Sequence, residues 1–284
     1  MSVPSQILRR ALVGRVRAIF NDQSRGEEPV ARSSNALFPE GSVIWRVHGD
    51  VTTMMVGGVS ALLLQMLHPA ALAGIWDHST FRNDMLGRLR RTARFIAVTT
   101  FADQADALSA IERVKQVHDR VTGTLADGTP YTANDPHLLA WVHVTEAVSF
   151  LDAWIRYAEP DMSVADQDTY FAQFADVARR LGASPVPETR KEADQLIEAM
   201  VPELHMDRRT RDVARLVLKQ PAPSLGAMPV QHMTMEAAVD LLPGWAREMH
   251  GLPTRHLRRP AVRLSTFAVA ETLRWAFQGG QRTK

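Results

Sequence analysis

Apolar residues recur along most of the chain at the three- and four-residue spacing of amphipathic helices, and strict two-residue alternation is scarce. Residues 5–21 form one such segment, followed by a polar loop from Asp22 to Ser34 that contains Gly26 and Pro29. Gly41 to Leu67 reads as one or two apolar helices, interrupted near Gly57-Gly58 and stopped by Pro69. Asn83-Asp84 can cap a helix running to about Thr100, and Asp103 starts another that ends at Gly123. The one strand or turn candidate is Asp127-Gly128-Thr129-Pro130-Tyr131-Thr132. Asn134-Asp135-Pro136, an acidic cap with proline in the first turn, then opens a long helix through Leu138, Val142, Phe150, Trp154 and Ile155. Further helices are expected at 163–181, 188–201, 207–219, 234–249 and 260–278, separated by breaks at Pro185-Pro187, Pro221-Pro223 and Pro253. None of these breaks has the composition of an inter-domain linker. The expectation is an all-α fold in one large domain over 1–284.

Composition narrows the chemistry. The chain has 284 residues, 45% hydrophobic and 23% charged, with a formal net charge of +2. That charge is too small to argue for nucleic acid, and none is expected as a partner. Cysteine is absent, which excludes disulfides, thiolate nucleophiles, iron–sulfur clusters and thiolate-ligated haem. The stretch Met54 to Trp76 is the most apolar, but Gln65, His68 and Pro69 within it favour a buried helix pair over a membrane span. Four arginines are spread through the first twenty residues, which fits an amphipathic surface helix better than a signal peptide. A cytoplasmic protein is the expectation.

Four histidines, His68, His78, His118 and His143, sit in apolar surroundings. His118 shares a stripe with Ile111, Val114 and Val121, and His143 shares a helix face with Leu139, Glu146 or Ala147, Phe150 and Trp154. An imidazole on such a face needs a hydrogen-bond partner or a metal, because an unsatisfied buried group costs about 1–3 kcal/mol. Each is either a satisfied core histidine or a ligand, and the pattern leaves both open. Arg82, Arg88, Arg90, Arg91 and Arg94 fall within thirteen residues, with Arg88, Arg91 and Thr92 on one face beside Phe95. They form either a solvated face or one wall of a pocket for an anionic, otherwise apolar ligand. The motifs H-E-x-x-H, G-x-S-x-G, G-x-G-x-x-G and the P-loop are absent, as is Glu-x-x-His.

Six short motifs occur in order: His68-Pro69-Ala70-Ala71-Leu72-Ala73-Gly74, His78-Ser79, Arg88-Leu89-Arg90-Arg91-Thr92, Val117 to Gly123, Tyr131-Thr132-Ala133, and Trp141-Val142-His143. Over roughly residues 38–260 the chain resembles the MpaB-type oxygenase family, which includes the latex-clearing rubber oxygenases. The resemblance implies a haem b buried between helices and an oxidative activity with dioxygen on a lipophilic small molecule. It also implies His118 as proximal iron ligand and Arg88, Arg91 and Thr92 as a distal or propionate-facing group, with His143 a second haem-pocket residue. Arg91 stands where the rubber oxygenases carry a lysine that can occupy the sixth iron position, so that position is expected open or filled otherwise. No glutamate is identified at their pocket-base position; either His68 or His78 substitutes or that chemistry is missing.

Two other readings stand beside this one: a haem-binding sensor, carrier or redox protein without turnover, and a helical interaction protein without cofactor. Arg255, Arg258, Arg259 and Arg263 offer either a peripheral membrane contact or a solvated helix end. A homo-oligomer is compatible with the sequence, which does not fix the oligomeric state.

Overall fold

The computed structural model describes residues 26–222, 227–252 and 259–278, with Gln6, Arg9, Val13 and Gly14 before them. Most of the 5–21 segment, Arg255, Arg258 and the side chain of Arg259 therefore lie outside the described residues. Among the described residues the fold is all-α, with twelve α-helices and two short strands.

The helices are α1 (Val43–His48), α2 (Val51–Gln65), α3 (Pro69–His78), α4 (Met85–Phe101), α5 (Gln104–His118), α6 (Pro136–Tyr157), α7 (Val164–Leu181) and α8 (Arg190–Met200). After a 3₁₀ turn at Val201–Glu203 come α9 (Arg208–Leu218), α10 (Met228–Leu241), α11 (Gly244–Met249) and α12 (Arg259–Gln278). The strands β1 (Thr122–Thr124) and β2 (Pro130–Thr132) form an antiparallel hairpin with Gly123 opposite Tyr131. The starts follow cap chemistry. Asp84, Asp103 and Asp135 each accept a backbone N–H from the first turn of the helix they precede, at 2.8, 3.0 and 2.9 Å.

The centre of the molecule is the packing of α2 against α6, the most extensive helix–helix contact. It is close because position 57 carries no side chain. A Cβ there would lie 2.8 Å from Ser149 O and 2.9 Å from Phe150 Cα, so only glycine allows this approach. Trp141, Leu63, Leu64 and Leu151 are fully enclosed at this seam, each stabilising the fold by roughly 1.5–3 kcal/mol on burial. Helices α7 and α8 cover one side of α6, α10 and α12 cover α2, and α4 and α5 form a pair that meets α1 and α7. One contiguous cluster of buried apolar residues draws on every helix from α1 to α11, with Val262 of α12 packed against it. Helix α6 is long and apolar enough to cross a bilayer, but 72% of that stretch is buried inside the protein.

Three boundaries differ from the sequence expectation. The 41–67 segment breaks at Gly49-Asp50, not at Gly57-Gly58, because the Asp50 carboxylate caps α2 by accepting from Thr53 N at 2.9 Å. Pro69 does more than stop α2. It occupies the first turn of α3, whose N–H it does not need, and the chain turns through 103° there. The 234–249 helix is two helices, α10 and α11, parted at Leu242-Pro243 because proline cannot continue the first.

Candidate functional site

From Leu138 to Leu151 every residue of α6 is buried except Val142 and Glu146. These two are four apart and therefore share a face. A carboxylate at the middle of a buried helix is thus only partly enclosed, and we call the surroundings of Val142 and Glu146 the notch. Gln65, the last residue of α2, closes one side. Its Nε2 donates to Val142 O at 3.3 Å and approaches Glu146 Oε1 at 3.5 Å. Arg88 of α4 lies near enough to Glu146, and to His118 at the end of α5, to influence both electrostatically. No hydrogen bond or ion pair joins Arg88 to either. Arg88 is the group common to the two, acting on each through its charge alone.

Burial pushes the Glu146 carboxyl up to about 7, against the opposing influence of Gln65 and Arg88. Near neutrality the group is therefore divided between acid and base forms. The Arg88 guanidinium is pushed down to about 10 by burial and by neighbouring Arg91, and stays charged at neutral pH. The His118 imidazole is lowered by burial and by Arg88, so the ring is neutral and its lone pair is available. Its Nδ1 is enclosed without a hydrogen-bond partner, and so is Asn134 Oδ1, although the Asn134 amide faces the ring and raises it. Asn134 is itself held by bonds from Nδ2 to Lys115 O (3.1 Å) and Asp119 Oδ1 (2.7 Å). An Nδ1–H donated to Asn134 Oδ1 would leave the lone pair on Nε2. His118 Nε2 is neither hydrogen-bonded nor enclosed.

The other sequence-derived candidates scatter. Arg91 is exposed and pairs with Asp84 at 3.3 Å, and Thr92 beside it is exposed. Arg94 donates to Glu28 O at 3.0 Å, and Arg82 stacks over Trp76 at 4.8 Å. His143 is buried on a different face of α6, edge-on to Phe174 of α7 with ring centroids 4.8 Å apart. Burial lowers it to about 4, and its Nε2 lacks a partner. His78 bonds Thr122 O at 3.0 Å and ties α3 to β1. His68 caps α3 by accepting from Ala70 N at 3.2 Å, and its Nε2 lies 3.6 Å from Glu203. With His137, Tyr131 and Glu203 it lines a separate open cleft of about 420 Å³. Of the residues singled out, the structure brings Arg88 and His118 together and leaves His68, His78 and His143 elsewhere.

The stripe that drew attention to His118 also ends sooner than expected. Helix α5 stops at His118, and Val121 lies beyond it, packed toward Gly74 of α3. Glu146, Gln65 and Asn134 were not foreseen as site residues. For Glu146 the signal was present, as the one carboxylate in the apolar stretch 138–151. Gln65 and Asn134 join the site only through tertiary packing.

The family model described as the catalytic domain of ER-bound oxygenase mpaB/B'/rubber oxygenase matches residues 45–275. No curated protein and no solved structure matches the chain.

Proposed function

Because the chain belongs to the mpaB/B'/rubber oxygenase catalytic-domain family, we propose that it is a haem b-dependent oxygenase that acts on a lipophilic small molecule with dioxygen. The observation that carries this reading is the neutral imidazole of His118, with Nε2 unengaged, at the mouth of a notch that also holds Arg88 and Glu146. Among the described residues no three His, Asp or Glu side chains converge as a bare metal ion requires. An iron held in a porphyrin already has four nitrogen ligands and asks only one imidazole of the protein. The orphaned Nδ1 facing Asn134 matches a ligand whose ring is oriented from behind.

In this reading His118 Nε2 would hold the haem iron and Asn134 would orient the ring. The haem supplies dioxygen activation at its iron. Arg88 places a fixed positive charge at the notch, which would suit a haem propionate. Glu146, poised near 7, holds a proton at one carboxyl oxygen or accepts one from substrate without a large penalty either way. Val142, next to Glu146 on the same face, and the partly buried Leu89 and Phe95 of α4 provide apolar surface that limits water and favours a lipophilic substrate.

Dioxygen uptake with a panel of lipophilic alkenes tests the activity. Wild type should consume dioxygen in step with an oxidised product. Glu146→Gln should lower turnover at least tenfold while haem absorbance is kept. A haem-loaded protein that consumes no dioxygen with any member of the panel would leave a carrier, not an oxygenase.

A further inference from the structure

One polar network in the core is not used by the notch. His48 at the end of α1 is buried, with Nδ1 2.8 Å from Thr100 Oγ1 and Nε2 3.0 Å from the Tyr170 hydroxyl. Tyr170 is wholly enclosed, edge-on to Phe171 and tilted against Phe174. It is close enough to Glu146 for that carboxylate to help raise its phenol. We propose that Tyr170 and His48 form a redox-active pair that donates one electron to the oxidising site, a role that rests on the oxygenase reading above.

The chemistry follows from what a phenol needs. Removing one electron makes the hydroxyl a strong acid, and in a dry core the proton requires a base within hydrogen-bond reach. His48 Nε2 is that base. Burial holds the imidazole down to about 3, so it is neutral with a lone pair to offer at any ordinary pH. The phenol is the stronger acid of the two hydroxyls on this ring, which favours the tautomer with N–H on Nδ1 toward Thr100 and the lone pair toward Tyr170. A dioxygen-derived one-electron oxidant in the notch takes one electron from Tyr170. The O–H bond breaks, its proton forms an N–H bond on His48 Nε2, and a neutral tyrosyl radical and an imidazolium remain. An external reductant returns the electron, and the proton moves back.

The chain has three tyrosines, which makes the assignment tractable. Tyr131 is bonded to the Asp77 carboxylate at 3.1 Å, and the Tyr157 hydroxyl is buried without a partner. Tyr170 is the one whose hydroxyl is hydrogen-bonded to an imidazole.

The test uses photogenerated tris(bipyridine)ruthenium(III) on the purified full chain, freeze-trapping, and electron paramagnetic resonance. Because this oxidant is external, the outcome does not depend on haem. Wild type should trap a tyrosyl signal with a hyperfine coupling that changes in deuterated water. Tyr170→Phe should abolish it, and His48→Gln, which keeps a hydrogen-bonding side chain but lacks the imidazole lone pair that takes the proton, should lower its yield at least tenfold. Circular dichroism confirms that both variants fold. A signal unchanged in Tyr170→Phe, or an equal yield in His48→Gln, would overturn the proposal and leave the network a packing device. In haem-loaded protein treated with hydrogen peroxide the same radical should appear. If photo-oxidation yields the radical and peroxide does not, the link to the notch is refuted although the pair itself stands. Failure to bind haem at all would refute the oxygenase reading alone.

Discussion

Replacing Glu146 with glutamine removes a charge from the core while keeping its shape, and the structure fixes both sign and size of the result. The folded-state value lies above the ordinary carboxylate value, at about 7 against 4.5. The folded protein therefore holds the proton more tightly than the unfolded chain does. Stability from this group is complete below pH 4.5 and is lost as pH rises through about 7. At about 1.4 kcal/mol per pH unit, that interval is worth up to about 3 kcal/mol, less whatever residual solvent access screens. Glu146→Gln should match wild type at pH 4 and exceed it above pH 7 by about 1–3 kcal/mol. Urea unfolding at half-unit pH steps reads this directly, with the slope m unchanged because the surface exposed is the same. A stability difference that is flat from pH 4 to pH 8, or a variant weaker than wild type at pH 8, would refute the placement of a strained carboxyl in the notch.

Other consequences are equally open to measurement. Gly57→Ala should destabilise by about 1–3 kcal/mol in urea unfolding, since the new methyl meets Ser149 O and Phe150 backbone, and an unchanged midpoint would argue against the α2–α6 contact. Arg274→Met should cost about 3–5 kcal/mol, because the buried Asp50 carboxylate, 2.6 Å from Arg274 Nε, would lose its cation. The opposite pH dependence is expected from the core histidines. His48 and His143 are lowered to about 3 and about 4, so their contribution is full above pH 6.5 and is lost as pH falls through those values. His143→Leu should accordingly flatten the acid limb of the stability profile by about 3 kcal/mol between pH 6.5 and pH 4, as followed by thermal melts.

Much of this architecture was written in local signals. Asp84, Asp103 and Asp135 announced helix starts that the structure keeps, and Pro136 marked the first turn of α6. The Gly57-Gly58 pair reads locally as a breaker, yet it lies inside an unbroken helix because tertiary packing overrides propensity. At the site, Arg88 and His118 were readable from periodicity and resemblance. Arg91 and Thr92 were grouped with Arg88 by the same helical spacing, yet neighbours on one helix face diverge once a core is present: Arg88 turns inward and Arg91 reaches Asp84. Glu146 is visible in the sequence as the one carboxylate of the 138–151 stretch, but it gains meaning only when tertiary packing buries it and brings Arg88 within electrostatic reach. The His48–Tyr170 contact joins residues 122 positions apart, and no window of sequence contains both.

The account stands on the imidazole at position 118. The most direct measurement is a haem titration of purified wild type and His118→Ala, followed in the visible spectrum with and without dithionite. Wild type should develop a Soret band that saturates at one haem per chain and shifts on reduction, and the variant should fail to saturate or should lose the histidine-ligated spectrum. Equal stoichiometry and identical spectra in the two proteins would contradict the assignment.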